Sequence, residues 1–160
     1  MKEIYFDENQ LIVSKTDTKG KITYGNDLFL KLAGYKEKDI LNTPHNIVRH
    51  PDMPKVIFKL LWEYIQSGNE IYAYVVNKSK NGDFYWVLAN VTPSLDNNGD
   101  IVGYYSVRRK PTKKALEIIK PLYEQLLNAE KTRGINSSEE ILNELIEKNG
   151  GRYDKFILSL

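Results

Sequence analysis

The chain has 160 residues, 41% apolar and 28% charged, the balance of an ordinary globular domain rather than a disordered segment. Its 23 basic residues nearly cancel 21 acidic ones, and a formal charge of +2 is too small for a general nucleic-acid field. Cysteine is absent, which excludes disulfides, zinc–thiolate and iron–sulfur sites, and thiol chemistry.

No apolar run approaches the ~18 residues that cross a bilayer. The strongest, Val56 to Trp62, is broken by Lys59. Met1-Lys2-Glu3 leads into mixed polar sequence without the apolar centre of a signal peptide. The expectation is a cytoplasmic chain with no direct membrane insertion.

Residues 1–10 read as an N-terminal cap. Leu11 to Thr16 is β-rich, Asp17 to Lys21 is a polar turn with Gly20, and Ile22 to Tyr24 returns as a strand, which together make a hairpin. Asn26 suits the N-cap of a helix over Asp27 to Ala33, and Gly34 stops it. Lys36 to Ile40 adds a further turn. Between Pro44 and Pro54 three prolines prevent regular structure. Asp52 then reads as the N-cap of a helix from Met53 to Gln66, whose Val56, Ile57, Leu60, Leu61 and Tyr64 form one apolar stripe.

Three strands follow, over Ile71 to Asn77, Phe84 to Val91 and Ile101 to Arg109. The short turns Lys80-Asn81-Gly82-Asp83 and Asn97-Asn98-Gly99-Asp100 make them antiparallel neighbours. The prediction is an α+β domain over 11–110, a five-stranded antiparallel sheet with short helices on one face. Residues 111–160 read as a helical extension. Ala115, Ile118, Ile119, Leu122, Leu126 and Ala129 share a face of a helix over Lys113 to Lys131, which Pro121 should kink or divide. Ser137-Ser138-Glu139-Glu140 is a capping-box pattern before Ile141, Leu142, Leu145 and Ile146. Ile118, Leu122, Leu126, Leu142 and Leu145 are the expected contacts for a partner or a homodimer. The apolar tail, Phe156 to Leu160, needs a cover, from its own domain or from a partner.

The order of elements resembles a PAS domain. Ile22-Thr23-Tyr24-Gly25-Asn26-Asp27, Ala33-Gly34-Tyr35, and the run Pro44-His45-Asn46-Ile47-Val48-Arg49-His50-Pro51-Asp52-Met53-Pro54 resemble the sensor domain of bacterial aerotaxis receptors. So do Lys80 to Asn90 and Gly103 to Arg109, and the likeness covers about residues 8–110. The resemblance implies noncovalent FAD binding and a report of redox state to the chemotaxis machinery. The chain also resembles the stand-alone PAS partner of a two-protein energy-taxis receptor. That likeness implies a separate membrane-bound chemoreceptor with HAMP and signalling domains, which would recruit the chain to the inner face of the membrane.

The resemblance implies that Arg49, His50 and Asp52 bear on FAD binding. A basic pair in a proline-fixed loop suits a pyrophosphate or the polar edge of a flavin, although local loop bonding and helix capping would also account for these residues. The family places the residue at Asn26 towards the ring pocket, while a cap is the plainer reading. Trp62 can cover a flat ring or fill core. Trp86, Leu88 and Asn90 share one strand face; if that face meets the helices, Trp86 lines the pocket and Asn90 offers its amide to the flavin. Tyr85 would then look outward. His45 and His50 also admit a metal or haem reading, and a cofactor-free docking module shares the same fold. No nucleophile–base–acid grouping is visible, so a non-enzymatic role is expected. Without cysteine, the cysteinyl adduct of photosensory flavin domains is excluded.

Overall fold

The computed structural model describes all 160 residues. Five strands, β1 (Ile12–Thr16), β2 (Ile22–Gly25), β3 (Ile71–Lys78), β4 (Phe84–Leu95) and β5 (Ile101–Arg109), form one antiparallel sheet in the order β2-β1-β5-β4-β3. Between β2 and β3 lie α1 (Asp27–Ala33), α2 (Glu37–Ile40), a 3-10 turn at His45–Val48, and α3 (Lys55–Gln66). The expected α+β architecture is therefore present, and β4 runs four residues beyond its expected end at Val91.

Local chemistry accounts for several boundaries. Asn26 Oδ1 accepts from the Phe29 amide at 3.0 Å, and Gly34 ends α1 with φ 77°, a left-handed geometry that glycine adopts without a Cβ penalty. Gly20 has φ 84° in the β1–β2 turn, and a Cβ there would lie 3.2 Å from the Trp62 indole. This turn thus needs glycine twice over, for its backbone and for the ring that closes on it.

Pairing of Ser14 with Ser106, Val91 with Ser106, Ala89 with Arg108 and Val75 with Val87 defines one face of the sheet. Its residues meet α1 and α3, and Ile12, Ile22, Phe29, Ile57, Ile65 and Val87 are buried there. The sheet parity is the reverse of the expectation. Tyr85, Val87, Ala89 and Val91 face inward, while Trp86, Leu88 and Asn90 lie on the outer face.

The extension is α4 (Lys113–Arg133), α5 (Ile135–Lys148) and α6 (Tyr153–Leu158). α4 is continuous through Pro121 and is not divided. α5 begins two residues before the expected capping box, so Ser138 lies inside the helix and the box does not form. The helices pack on the outer face around β3 and β4. Tyr123 and Trp86 lie with ring centroids 5.8 Å apart, and the Tyr123 hydroxyl donates to the Tyr74 carbonyl. Tyr153, Phe156 and Ile157 are buried in the same hydrophobic cluster as the sheet, so this side of the apolar tail is covered by its own chain, while Leu158 is exposed.

Of the five expected partner contacts, Leu126 and Leu142 are buried within the chain and are unavailable to another molecule. The spacing correctly places them on apolar stripes, but those stripes meet α3, α4 and the sheet. Leu122 and Leu145 are half-buried, and Ile118 is exposed.

Candidate functional site

Between the inner face and α3 lies a cavity of about 270 Å³, near the lower end of small-molecule sites (~300–1,000 Å³). Val75 and Val91 of the sheet and Phe58, Leu61 and Ile65 of α3 make its walls apolar. Trp62 closes one side, its indole edge-on to Tyr104 with centroids 5.6 Å apart and planes at 88°. The proline-fixed segment supplies His45, Asn46, Val48 and Arg49.

The polar floor is the informative part. Arg108 is 3% exposed, and no ion pair neutralises it. Its Nη2 donates to Ser14 Oγ at 2.6 Å, its Nη1 lies 3.4 Å from His45 Nε2, and its guanidinium stands over the Phe29 ring. Its Nε has no partner, and neither has the buried Tyr85 hydroxyl. Burial lowers the Arg108 pKa to about 10, and pushes the Tyr85 phenol up to about 12 despite the opposing effect of Arg108. An isolated buried cation costs several kcal/mol unless something compensates it.

His45 extends this cluster. Its Nε2 lies 2.9 Å from Ser14 Oγ and its ring 5.7 Å from Phe29. Burial, reinforced by the adjacent Arg108, brings its pKa down to about 3, so it is neutral at ordinary pH. Asn77, 4% exposed on β3, adds an amide to the cavity.

The expected site residues separate into two groups. Arg49 and Trp62 line the cavity, and Arg49 is held with its guanidinium 3.9 Å from the Phe58 ring centre. The others face elsewhere. Asn26 commits its whole amide to structure: Oδ1 accepts from Val13 and Phe29, and Nδ2 donates to the Leu11 carbonyl. His50 turns its ring edge to Phe84 and accepts from the Asp52 amide at 3.0 Å through Nδ1. The Asp52 side chain is 71% exposed and does not cap α3, whose cap position is Pro54.

Trp86 and Asn90 are on the opposite side of the sheet. Trp86 meets Tyr123 and Lys120 of α4, while Asn90 Nδ2 makes only long contacts to Glu70 and the Ile71 carbonyl, at 3.4 and 3.5 Å. The asparagine amide on the cavity side of the sheet is that of Asn77. Arg108 and Asn77 carry no motif signal of their own; the available clue was the unbroken apolar stripe Tyr85-Val87-Ala89-Val91, which fixes the inward parity and, through pairing, both residues. His45 and His50 do not converge, because the first lies against Ser14 and Arg108 and the second against Phe84. No group of three or more His, Asp or Glu side chains is arranged to hold a metal.

The PAS fold family matches residues 22–108. The aerotaxis receptor of Escherichia coli (strain K12) is 40% identical over 125 residues, which are 78% of this chain and 24% of the receptor. The nitrogen fixation regulatory protein of Klebsiella pneumoniae is 24% identical over 103 residues, 64% of this chain and 21% of that protein. The chain thus spans about a quarter of the length of these curated relatives. Among solved structures, the dark state of the blue-light photoreceptor Aureochrome1 LOV has a TM-score of 0.60 at 25% identity, covering 73% of this chain and 86% of that one. A light-oxygen-voltage domain studied with a flavin analogue has a TM-score of 0.63 at 19% identity, covering 72% and 88%. No helix of the chain is long and apolar enough to cross a membrane. By its fold, the matched family and the identity to the receptor over most of its length, the chain belongs to the PAS family, as a sensor domain related to the aerotaxis receptor.

Proposed function

We propose that this chain is a redox sensor that binds FAD noncovalently in the inner cavity and relays its state to a separate membrane chemoreceptor with HAMP and signalling domains. The observation that carries the reading is Arg108, a buried guanidinium at the cavity floor with an unpartnered Nε–H and no counter-ion. A ligand that fits must bring carbonyl oxygens or negative charge to that floor and a flat apolar body to the walls above it. A flavin ring has both, so the residues present fit it.

When bound, the flavin would supply a ring that accepts electrons and, with them, a proton or a negative charge. Arg108 would donate to the acceptor edge of the ring and stabilise added negative charge there. Asn77 would present its carbonyl or its NH₂ according to what that edge requires, by rotating its amide. Neutral His45 and Ser14 hold Arg108 from below. Trp62 would cover the ring and exclude water, and Arg49, half-buried at the cavity rim, would meet the diphosphate of FAD. His50 and Asp52 would serve indirectly, by fixing the loop that carries Arg49.

The identity to the aerotaxis receptor supports the signalling half of the proposal. The partner would meet the exposed surface of the extension around Ile118, Leu122 and Leu145, which a homodimer would also use, and it would hold the chain at the cytoplasmic face of the membrane.

Calorimetric titration with FAD, FMN and riboflavin tests the cofactor. FAD should bind tightest, and riboflavin weakest because nothing would reach Arg49. Binding of the oxidised and reduced protein to the cytoplasmic part of a chemoreceptor tests the relay, and equal affinities would contradict it.

A further inference from the structure

Helix α3 contributes Phe58, Leu61, Trp62 and Ile65 to the cavity, yet its own sequence leaves its first turn bare. Pro54 occupies the cap position with no side-chain acceptor, and no acidic residue stands in the first turn. The acceptor comes instead from Glu130 near the end of α4. Its Oε1 accepts from the Lys55 amide at 2.8 Å and its Oε2 from the Val56 amide at 3.1 Å. One carboxylate thereby satisfies two of the amides that a helix start leaves open, and it meets the positive end of the helix dipole.

The same Oε2 accepts from Ser138 Oγ at 2.9 Å, inside α5. Ser138 is fully buried, its hydroxyl lying 2.9 Å from both Glu130 Oε2 and the Ile135 carbonyl of its own helix, so the carboxylate stands at a junction of three helices. Arg49 completes the arrangement from the cavity side. Its guanidinium lies on Phe58, one turn into α3, and burial lowers its pKa while the negative charge of Glu130 opposes that shift. Lys59 and Glu139 make a second link between α3 and α5, at 2.9 Å, exposed and of lesser weight.

We propose that Glu130 is a positioning residue of the cavity, fixing the start of α3 and coupling the α3–Arg49 wall to α4 and α5. A bound ligand that moves this wall changes the local stability of the extension through one carboxylate. The identity of that ligand as a flavin rests on the function proposed above; the mechanical link does not.

Hydrogen exchange on the full chain tests the link, with wild type, Arg49→Ala, Glu130→Ala and the double variant compared amide by amide. Arg49→Ala should speed exchange severalfold in α4 and α5 when Glu130 is present. In the Glu130→Ala background those helices should already exchange fast, and Arg49→Ala should add nothing further. Glu130→Gln keeps the shape and one acceptor oxygen, so it should fold and fall between the two; it replaces the alanine variant if that one is unfolded. The proposal is overturned if Arg49→Ala leaves α4 and α5 unchanged in wild type, or changes them equally without Glu130. Added FAD separates the two readings. Unchanged exchange in β4 and β5 would contradict the flavin and leave the Arg49 comparison to decide the link. Protection that reaches α4 and α5 undiminished in the Glu130 variants would contradict the link and leave the flavin standing.

Discussion

Arg108 and Ser14 face each other from β5 and β1, Nη2 donating to Oγ at 2.6 Å, and no carboxylate shares the guanidinium. Hydroxyl and imidazole neighbours solvate the cation without neutralising it. A long apolar residue in its place therefore has opposite effects on stability and on binding. Arg108→Met should leave the flavin-free protein as stable as wild type or more stable by ~1–4 kcal/mol. It should weaken FAD binding by about 1.5–3 kcal/mol, roughly ten- to a hundred-fold. Thermal unfolding and titration of the same sample measure both; lower stability with unchanged affinity would assign Arg108 a purely structural role.

The asparagines of β3 and β4 give a cleaner contrast. Asn77 faces the cavity and Asn90 faces away from it. Asn77→Ala should weaken FAD binding by about 1 kcal/mol, the worth of one hydrogen bond. Asn90→Ala should change both binding and stability by less than ~0.5 kcal/mol. Fluorescence quenching of FAD on titration reads the difference.

His45 makes the fold sensitive to acid. Its pKa is about 3 in the folded chain against an ordinary 6.5, so between these values the unfolded chain binds the extra proton. Stability is thus fully present above pH 6.5 and is lost as pH falls towards 3, at up to about 1.4 kcal/mol per pH unit from this group. Denaturant midpoints measured across that window should fall in wild type. His45→Gln should remove this part of the slope while leaving the contribution of the carboxylates.

Gly20→Ala tests the turn that closes on Trp62. An alanine at φ 84° costs about 1–2 kcal/mol, and its Cβ would meet the indole at 3.2 Å. The variant should lose stability by at least that amount and shift the Trp62 emission, which unfolding titrations with fluorescence detection record together.

Most of the architecture was legible in local chemistry. Asn26 and Gly34 bound α1, and the Asn-Gly turns separate antiparallel strands, because caps and turns are short-range effects. The face of β4 was not. Both of its stripes are rich in apolar residues, since α4 and α6 cover the outer face at Trp86 as α3 covers the inner, and alternation then loses its contrast. Only the polar end of one stripe, Asn90 and Thr92, distinguishes them. The cap of α3 was illegible for another reason. Asp52 has the right residue type two or three places before the helix, but the acceptor is Glu130, 75 residues away, and no local pattern encodes a contact that tertiary packing creates. Arg49 and Trp62 line the cavity, whereas Arg108 stands in no motif and takes its inward position only from its pairing with Ala89.

The absorbance spectrum of freshly purified protein, with the released cofactor identified after denaturation, tests the central claim most directly. The expected result is the paired near-ultraviolet and visible bands of an oxidised flavin, bleaching on anaerobic reduction, with FAD released. A colourless protein that stays colourless after incubation with FAD would contradict it, and would make this chain a docking module with a cation buried for some other ligand.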